Sequence, residues 1–315
     1  MTATGADFAV RFANCGGKRE IPARNQVPGT VIAAASRDAH TYPTVSNGFS
    51  GISTKNGELG TSGATVALAF FAKPPDQNRR TAMNECLEII TCSYGPDLER
   101  ARRLCESVDQ FIDPTIRHTL IVPAKDREDF LPLENRRRTV LVTQDVVPGD
   151  FRALPPGRQA WIYKWGLPIR GWIMQQITKL SANRATDAEL LMFADSDLRF
   201  VRPLDVADVY RDGQLRLHRI EGAMNSGRHL KWHHRTRELL GLPSAEGNAG
   251  YLGSDYVGQL ITWRRDHLEG LQRHIQSVHD EPWYKPVARS LHMSEYILYG
   301  SYIEHINGGA HDHFY

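Results

Sequence analysis

The chain has 315 residues, 41% hydrophobic and 23% charged, enough for one large α/β domain or two small ones. A formal net charge of +2 excludes the basic balance of a nucleic-acid binder, and the longest apolar run near the N-terminus, Ala64 to Ala72, is too short to span a bilayer. Cys15, Cys86, Cys92 and Cys105 lack metal-ligand spacing, and the start of the chain lacks the basic head and apolar core of a secretory signal, so a reducing, cytoplasmic setting is expected.

Residues 1–82 are dominated by Gly, Ser, Thr, Ala and Asn and hold no lasting helical or strand period. They read as a disordered or dispensable extension, ending in the polar, proline-bearing linker Lys73 to Arg80. The organised domain, 83–315, is expected to begin at Met83, with a donor-binding half (83–205) and an acceptor half (206–315). Leu87 to Ser93 reads as a first strand. Tyr94-Gly95-Pro96-Asp97 is turn chemistry, and Asp97 can cap a helix over about Leu98 to Gln110 with Ala101, Leu104, Cys105 and Val108 on its apolar face. Thr119 to Pro123 is the second strand, Asp126 to Leu133 a short acidic helix, and Thr139 to Thr143 the third strand. This β-α-β-α-β order predicts an α/β fold with right-handed crossovers and a mostly parallel sheet.

Phe151 to Arg170, with Pro155, Pro156, Gly157 and Pro168 among Trp161, Tyr163 and Trp165, reads as a long irregular loop of the functional kind. Gly171 to Ala182 reads as a helix with Ile173, Ile177 and Leu180 facing the core, while Gln176 and Lys179 share another face. A cation at Lys179 could offset charge on a departing diphosphate; a solvated lysine is the alternative.

The stretch Leu190 to Pro203 organises the rest. Its apolar start is a strand buried on both faces, and Asp195 and Asp197 sit where it leaves the sheet. Carboxylates spaced i, i+2 on an extended chain point to one side and can hold Mg²⁺ or Mn²⁺; capping a turn is the alternative use. A first strand ending in Thr91, Ser93 and Tyr94 before a tight turn into a helix is a place for a nucleotide, or an ordinary βα turn.

Farther on, Leu215 to Met224 reads as strand and His229 to Leu240 as a basic helix. Gly247 to Asp255 is a glycine-rich loop, Val257 to Trp263 a strand, and Asp266 to Val278 and Met293 to Tyr302 are helices. In His311-Asp312-His313, either histidine could complete a carboxylate metal site, or the segment is a free tail. Asp255 and Glu295 are the candidates for a general base; a turn residue and a helix-dipole partner are their respective alternatives.

Ile90 to Tyr94, Gly-Trp-Ile-x-Gln-Gln-x-x-Lys-Leu at 171–180, Phe193 to Pro203 and Met-Ser-Glu-Tyr-x-Leu-Tyr-Gly at 293–300 resemble the GT-A glycosyltransferases. More narrowly, they look like a family of uncharacterised bacterial glycosyltransferases of that fold, from about Asn84 onward. The resemblance implies a Rossmann-like parallel sheet with a smaller C-terminal acceptor-side portion. It implies a UDP- or GDP-sugar donor, a hydroxyl-bearing acceptor, and Mn²⁺ or Mg²⁺. Asp197 would bind the metal, Asp195 would lie by the donor's ribose or sugar and the metal, and Thr91 and Tyr94 would lie near the base, with Ser93 beside them. His311 or His313 would add a metal ligand. Direct displacement with inversion would use Glu295 or Asp255 as base. A nucleotidyltransferase and a non-catalytic nucleotide-sugar-binding protein are the competing readings.

Overall fold

The computed structural model describes residues 34–35 (backbone only), 86–149, 151–154, 160–163, 166, 168–221, 227–243, 253–308 and 311–315. Most of the expected extension 1–82 therefore lies outside the described residues, as do 247–252 of the glycine-rich loop and Pro155, Pro156, Gly157 and Trp165. Ala34–Ala35 lies antiparallel to Leu198–Arg199.

The fold is α/β. Five strands, β1 (Leu87–Cys92), β2 (Arg117–Val122), β3 (Arg138–Val142), β4 (Leu190–Ala194) and β5 (Leu260–Arg264), form one sheet in the order β5-β4-β1-β2-β3. The pairs β4-β1, β1-β2 and β2-β3 are parallel, and β5 runs antiparallel to β4 at the edge. Every residue of β1 and β4 is buried, because helices cover both faces and the strands accordingly read as unbroken apolar runs. Side chains alternate across the sheet. Leu87, Ile89, Met192 and Ala194 pack with Leu104 and Val108 of α1 (Leu98–Phe111), while Ile90, Cys92, Leu191 and Phe193 pack on the opposite side. That second side is covered by α2 (Gly171–Lys179), α3 (Gly227–Leu240), α4 (Arg265–His279) and α5 (Glu295–His305), through residues such as Ile177, Leu239, Leu271 and Ile297.

The structure differs from expectation in several segments. Phe151 to Arg170 is not irregular where it is described: Phe151–Ala153, Ala160–Tyr163 and Pro168–Arg170 form an antiparallel three-stranded sheet. Its strands are short and proline-flanked, so they carry little local strand signal; burial of Trp161 and Ile169 stabilises them. Leu215 to Met224 is strand only over Gln214–Arg216, and 222–226 lie outside the described residues. The tail is built into this region, with His313–Phe314 pairing parallel to Gln214–Arg216. Asp97 does stand at the N-cap of α1, but its side chain makes no cap bond; it accepts instead from Arg100 and Ser196, both at 3.3 Å. Among the described residues no helix is long and apolar enough to cross a membrane.

One close approach sets how α5 lies on the core. A Cβ added at Gly300 would stand 2.2 Å from the ring of Tyr256, which is itself fully buried. The Gly300→Ala variant should lose about 1–3 kcal/mol of stability, since the helix and the ring cannot both keep their places. Urea unfolding checks this, and an unchanged midpoint would refute the packing constraint.

Candidate functional site

The chain runs up β1, through α1 to β2, on to β3, and then crosses back to add β4 on the other side of β1. The strand order therefore reverses between β1 and β4. A crevice opens outside the carboxyl ends of parallel strands at such a point, and ligands of open α/β sheets bind there. Asp195 leaves β4 at this place.

Directly after β4 the amide of Leu198 donates to the carbonyl of Asp195 at 3.0 Å, closing a tight turn. The extended geometry that would put both carboxylates on one side is absent. Asp195 is partly buried, and Asp197 is exposed. The Asp195 carboxylate accepts from the ammonium of Lys179 at 2.8 Å. Lys179 is only 3% exposed, so it is not the solvated lysine of the alternative reading. Its Nζ also lies 3.0 Å from Glu295 and donates to the Tyr296 hydroxyl at 2.7 Å. Gln176, one turn earlier on α2, accepts the backbone N–H of Glu295 at 3.1 Å and so ties α5 to α2.

This cluster is coherent electrostatically. Burial pulls the Lys179 ammonium down, but Glu295, Tyr296 and Asp195 outweigh it and hold Lys179 well above its ordinary value. Burial raises the Glu295 carboxyl, with Lys179 acting in the opposite sense. Burial likewise raises Tyr296, helped by Asp195, and pushes the Cys92 thiol up to about 12. Lys179 therefore serves as an internal counter-ion for two carboxylates, with none of its three donors left for a diphosphate.

Thr91 does not face a ligand space. Its hydroxyl donates to the carbonyl of Ala194 at 2.9 Å and meets Nε2 of His118 at 3.0 Å. Arg138 donates to Nδ1 of His118 at 3.0 Å and pairs with Asp109 at 2.7 Å. His118 is fully buried and held well below its ordinary value, by burial first and then by Arg138 and Arg137. This polar chain crosses the sheet and ends on the residue before Asp195, so Thr91 fixes the strand end rather than a base.

A cavity of about 260 Å³ lies over the carboxyl ends of β1, β2 and β3, walled by the small antiparallel sheet and the start of α2. Of the residues named from sequence, Ser93 and Tyr94 line it; Thr91, Gln176, Lys179 and Asp195 do not. The Ser93 hydroxyl is buried with no hydrogen-bond partner among the described residues, which suits a group awaiting a ligand. Cys92 and Thr178 also line the cavity, and Cys92 is close enough to the cluster for Lys179, Asp195 and Glu295 to act on its thiol. Trp161, from the segment read as functional, lines the cavity too, whereas sequence reasoning gave no site role to Asp126 and Trp172 in the lining or to Tyr296 in the cluster. Asp126 lies against the turn: a Cβ on Gly95 would meet its Oδ1 at 2.9 Å.

The two base candidates lie in different surroundings. Glu295 is 2% exposed and paired with Lys179. Asp255 forms a bridge with Ile220, accepts from the amide of Val257 at 2.9 Å, and lies 3.5 Å from Nδ1 of His229. The C-terminal histidines separate clearly. His311 is exposed, whereas His313 is buried with its ring 5.2 Å from that of His267.

Among the described residues no three His, Cys, Asp or Glu side chains come together to hold a metal ion. Asp197 is exposed while one oxygen of Asp195 is engaged by Lys179, so the end of β4 offers one carboxylate outright and at most one oxygen of a second. That fits a hydrated Mg²⁺ or Mn²⁺, which needs only one or two carboxylates when substrate phosphates complete its shell. It does not fit a closed, all-protein metal centre.

No curated protein matches the chain. Residues 86–315 match a family of unknown function, DUF6492, and the chain belongs to that family.

Proposed function

We propose that the chain is a metal-dependent glycosyltransferase of the GT-A type, moving a sugar from a UDP- or GDP-sugar to a hydroxyl-bearing acceptor. The observation that carries this reading is the buried Lys179 cluster, which pins Asp195 at the end of β4 where the strand order reverses, beside a cavity of about 260 Å³. A solvated aspartate needs no such anchoring; one that must keep a carboxylate still for a charged ligand does. The motifs at 171–180, 193–203 and 293–300 meet in that cluster, through Lys179, Asp195, Glu295 and Tyr296.

In this reading the nucleotide lies at the Ser93–Tyr94 end of the cavity, the Trp172 end is left to the acceptor, and the diphosphate reaches towards Asp195 and Asp197. These two residues would hold Mg²⁺ or Mn²⁺, which when bound offsets charge on the leaving diphosphate. Lys179, itself held by Glu295 and Tyr296, keeps Asp195 in place. As an acceptor oxygen bonds to the anomeric carbon, the bond from that carbon to the diphosphate breaks and the hydroxyl proton passes to a base. Asp255, less buried than Glu295 and paired with His229, suits that task better than Glu295, whose carboxylate is engaged by Lys179.

A thermal-shift series with UDP- and GDP-sugars, with and without Mn²⁺, tests the reading. At a hundredfold excess over Kd the expected stabilisation is about 2.7 kcal/mol. Product analysis follows: release of a nucleoside diphosphate supports transfer. Release of pyrophosphate from a nucleoside triphosphate and a sugar phosphate replaces this reading with nucleotidyl transfer, and binding without turnover replaces it with a non-catalytic role.

A further inference from the structure

The exposed aromatics among the described residues are Trp172 and Tyr315, 38% and 56% exposed. Tyr315 is accounted for, since the Arg219 guanidinium lies 4.5 Å over its ring. Trp172 is different: it lines the cavity, and its ring stacks on Trp232 at 5.6 Å with 25° between planes. The ring of His229 lies against Trp232 in turn, at 4.7 Å, and His229 faces Asp255. Three rings thus lead from the cavity to the His229–Asp255 pair. The indole N–H of Trp232 is buried without a hydrogen-bond partner among the described residues.

An exposed indole offers a flat, electron-rich apolar face. The lining beside it is not apolar enough for a fatty chain, because Gln175, three residues on along α2, lines the cavity as well. A pyranose ring fits both halves of this description. Its C–H face is apolar and positively polarised, while its rim carries hydroxyls that need donors and acceptors. We propose that the Trp172–Trp232 stack, with His229 and Asp255 at its edge, is the acceptor subsite and takes a saccharide ring. This assignment rests on the glycosyl-transfer reading, but its binding test does not need a donor.

The test is saturation-transfer NMR on the full chain with methyl glycosides of glucose, galactose, mannose, rhamnose and N-acetylglucosamine. At least one glycoside should receive saturation on its ring C–H protons. Trp172→Ala should weaken that binding about tenfold, and Trp172→Phe should retain most of it. His229→Ala, at a half-exposed ring, provides a second variant should Trp172→Ala fail to fold; it should weaken the same glycoside several-fold. Absence of transfer to every glycoside in the wild-type protein overturns the proposal, as does binding indifferent to Trp172→Ala and His229→Ala. The two readings fail separately: glycoside binding without any Mn²⁺-dependent response to nucleotide sugars keeps the saccharide site and removes the transferase. The reverse result removes only the platform.

Discussion

Replacing Asp197 by alanine should reduce Mn²⁺-dependent nucleoside diphosphate release by roughly 10²–10³-fold, the loss seen when one preorganised group that stabilises developing charge is removed. The structure makes this variant informative because Asp197 is exposed after the turn that ends β4. No packing is lost, so stability should stay within about 0.5 kcal/mol of the wild type. Activity and stability are thereby separated. The measurement is turnover against Mn²⁺ concentration alongside urea unfolding. Full activity in a normally folded Asp197→Ala protein would remove the metal from the proposed site.

Lys179→Met should have the largest effect on stability. Methionine has similar length and fills the same space, so the change is mainly one of charge. It strips the counter-ion from Asp195 and from the buried Glu295 at once. Removing one partner of a buried ion pair costs about 3–5 kcal/mol, because the remaining charge is left desolvated. Turnover should also fall, by roughly 10²-fold, as Asp195 loses the contact that fixes it.

The pH dependence of the deficit identifies its cause. Burial already holds the Glu295 carboxyl above its ordinary value of 4.5, and removal of Lys179 takes away the interaction opposing that shift. A carboxyl raised in the folded state contributes stability that is fully present below its unfolded value and lost as pH rises through the folded one. The deficit of Lys179→Met should therefore be greatest near pH 7 and shrink as pH falls towards 4.5. In the wild type Lys179 itself is held above its ordinary 10.5, so its own stabilising contribution is complete below that value and fades only at higher pH. Urea unfolding of both proteins across this range checks the sign; a deficit independent of pH would mean that lost packing, and not the unpaired carboxylates, is responsible.

Much of the frame was readable in single segments. The runs at Leu87 and Leu190 are apolar throughout because both faces of those strands are covered. The helix after Asp97 shows its face through Ala101, Leu104, Cys105 and Val108, which are all buried. The strand pairs between Phe151 and Arg170 could not be read this way, since three- and four-residue strands flanked by prolines resemble loop until partners are known. His313 read as a candidate metal ligand or as part of a free tail; it lies in a strand against Gln214–Arg216, residues far back in the chain, and among the described residues no metal-holding group forms around it. Asp195 and Asp197 do follow the end of a buried strand, but the backbone turn at Asp195 gives them unlike surroundings.

The amino-acid sequence by itself determined the α/β order of elements and the position of Asp195 at the end of a buried strand, because periodicity is carried by each segment's own side chains. Only the tertiary structure decided that Lys179 is an internal counter-ion, that Thr91 is a brace for β4, and that Trp172 stands at a cavity. Burial and pairing depend on partners remote in sequence: Lys179 meets Asp195 across 16 positions and Tyr296 across 117, and neither contact leaves a mark on the local pattern.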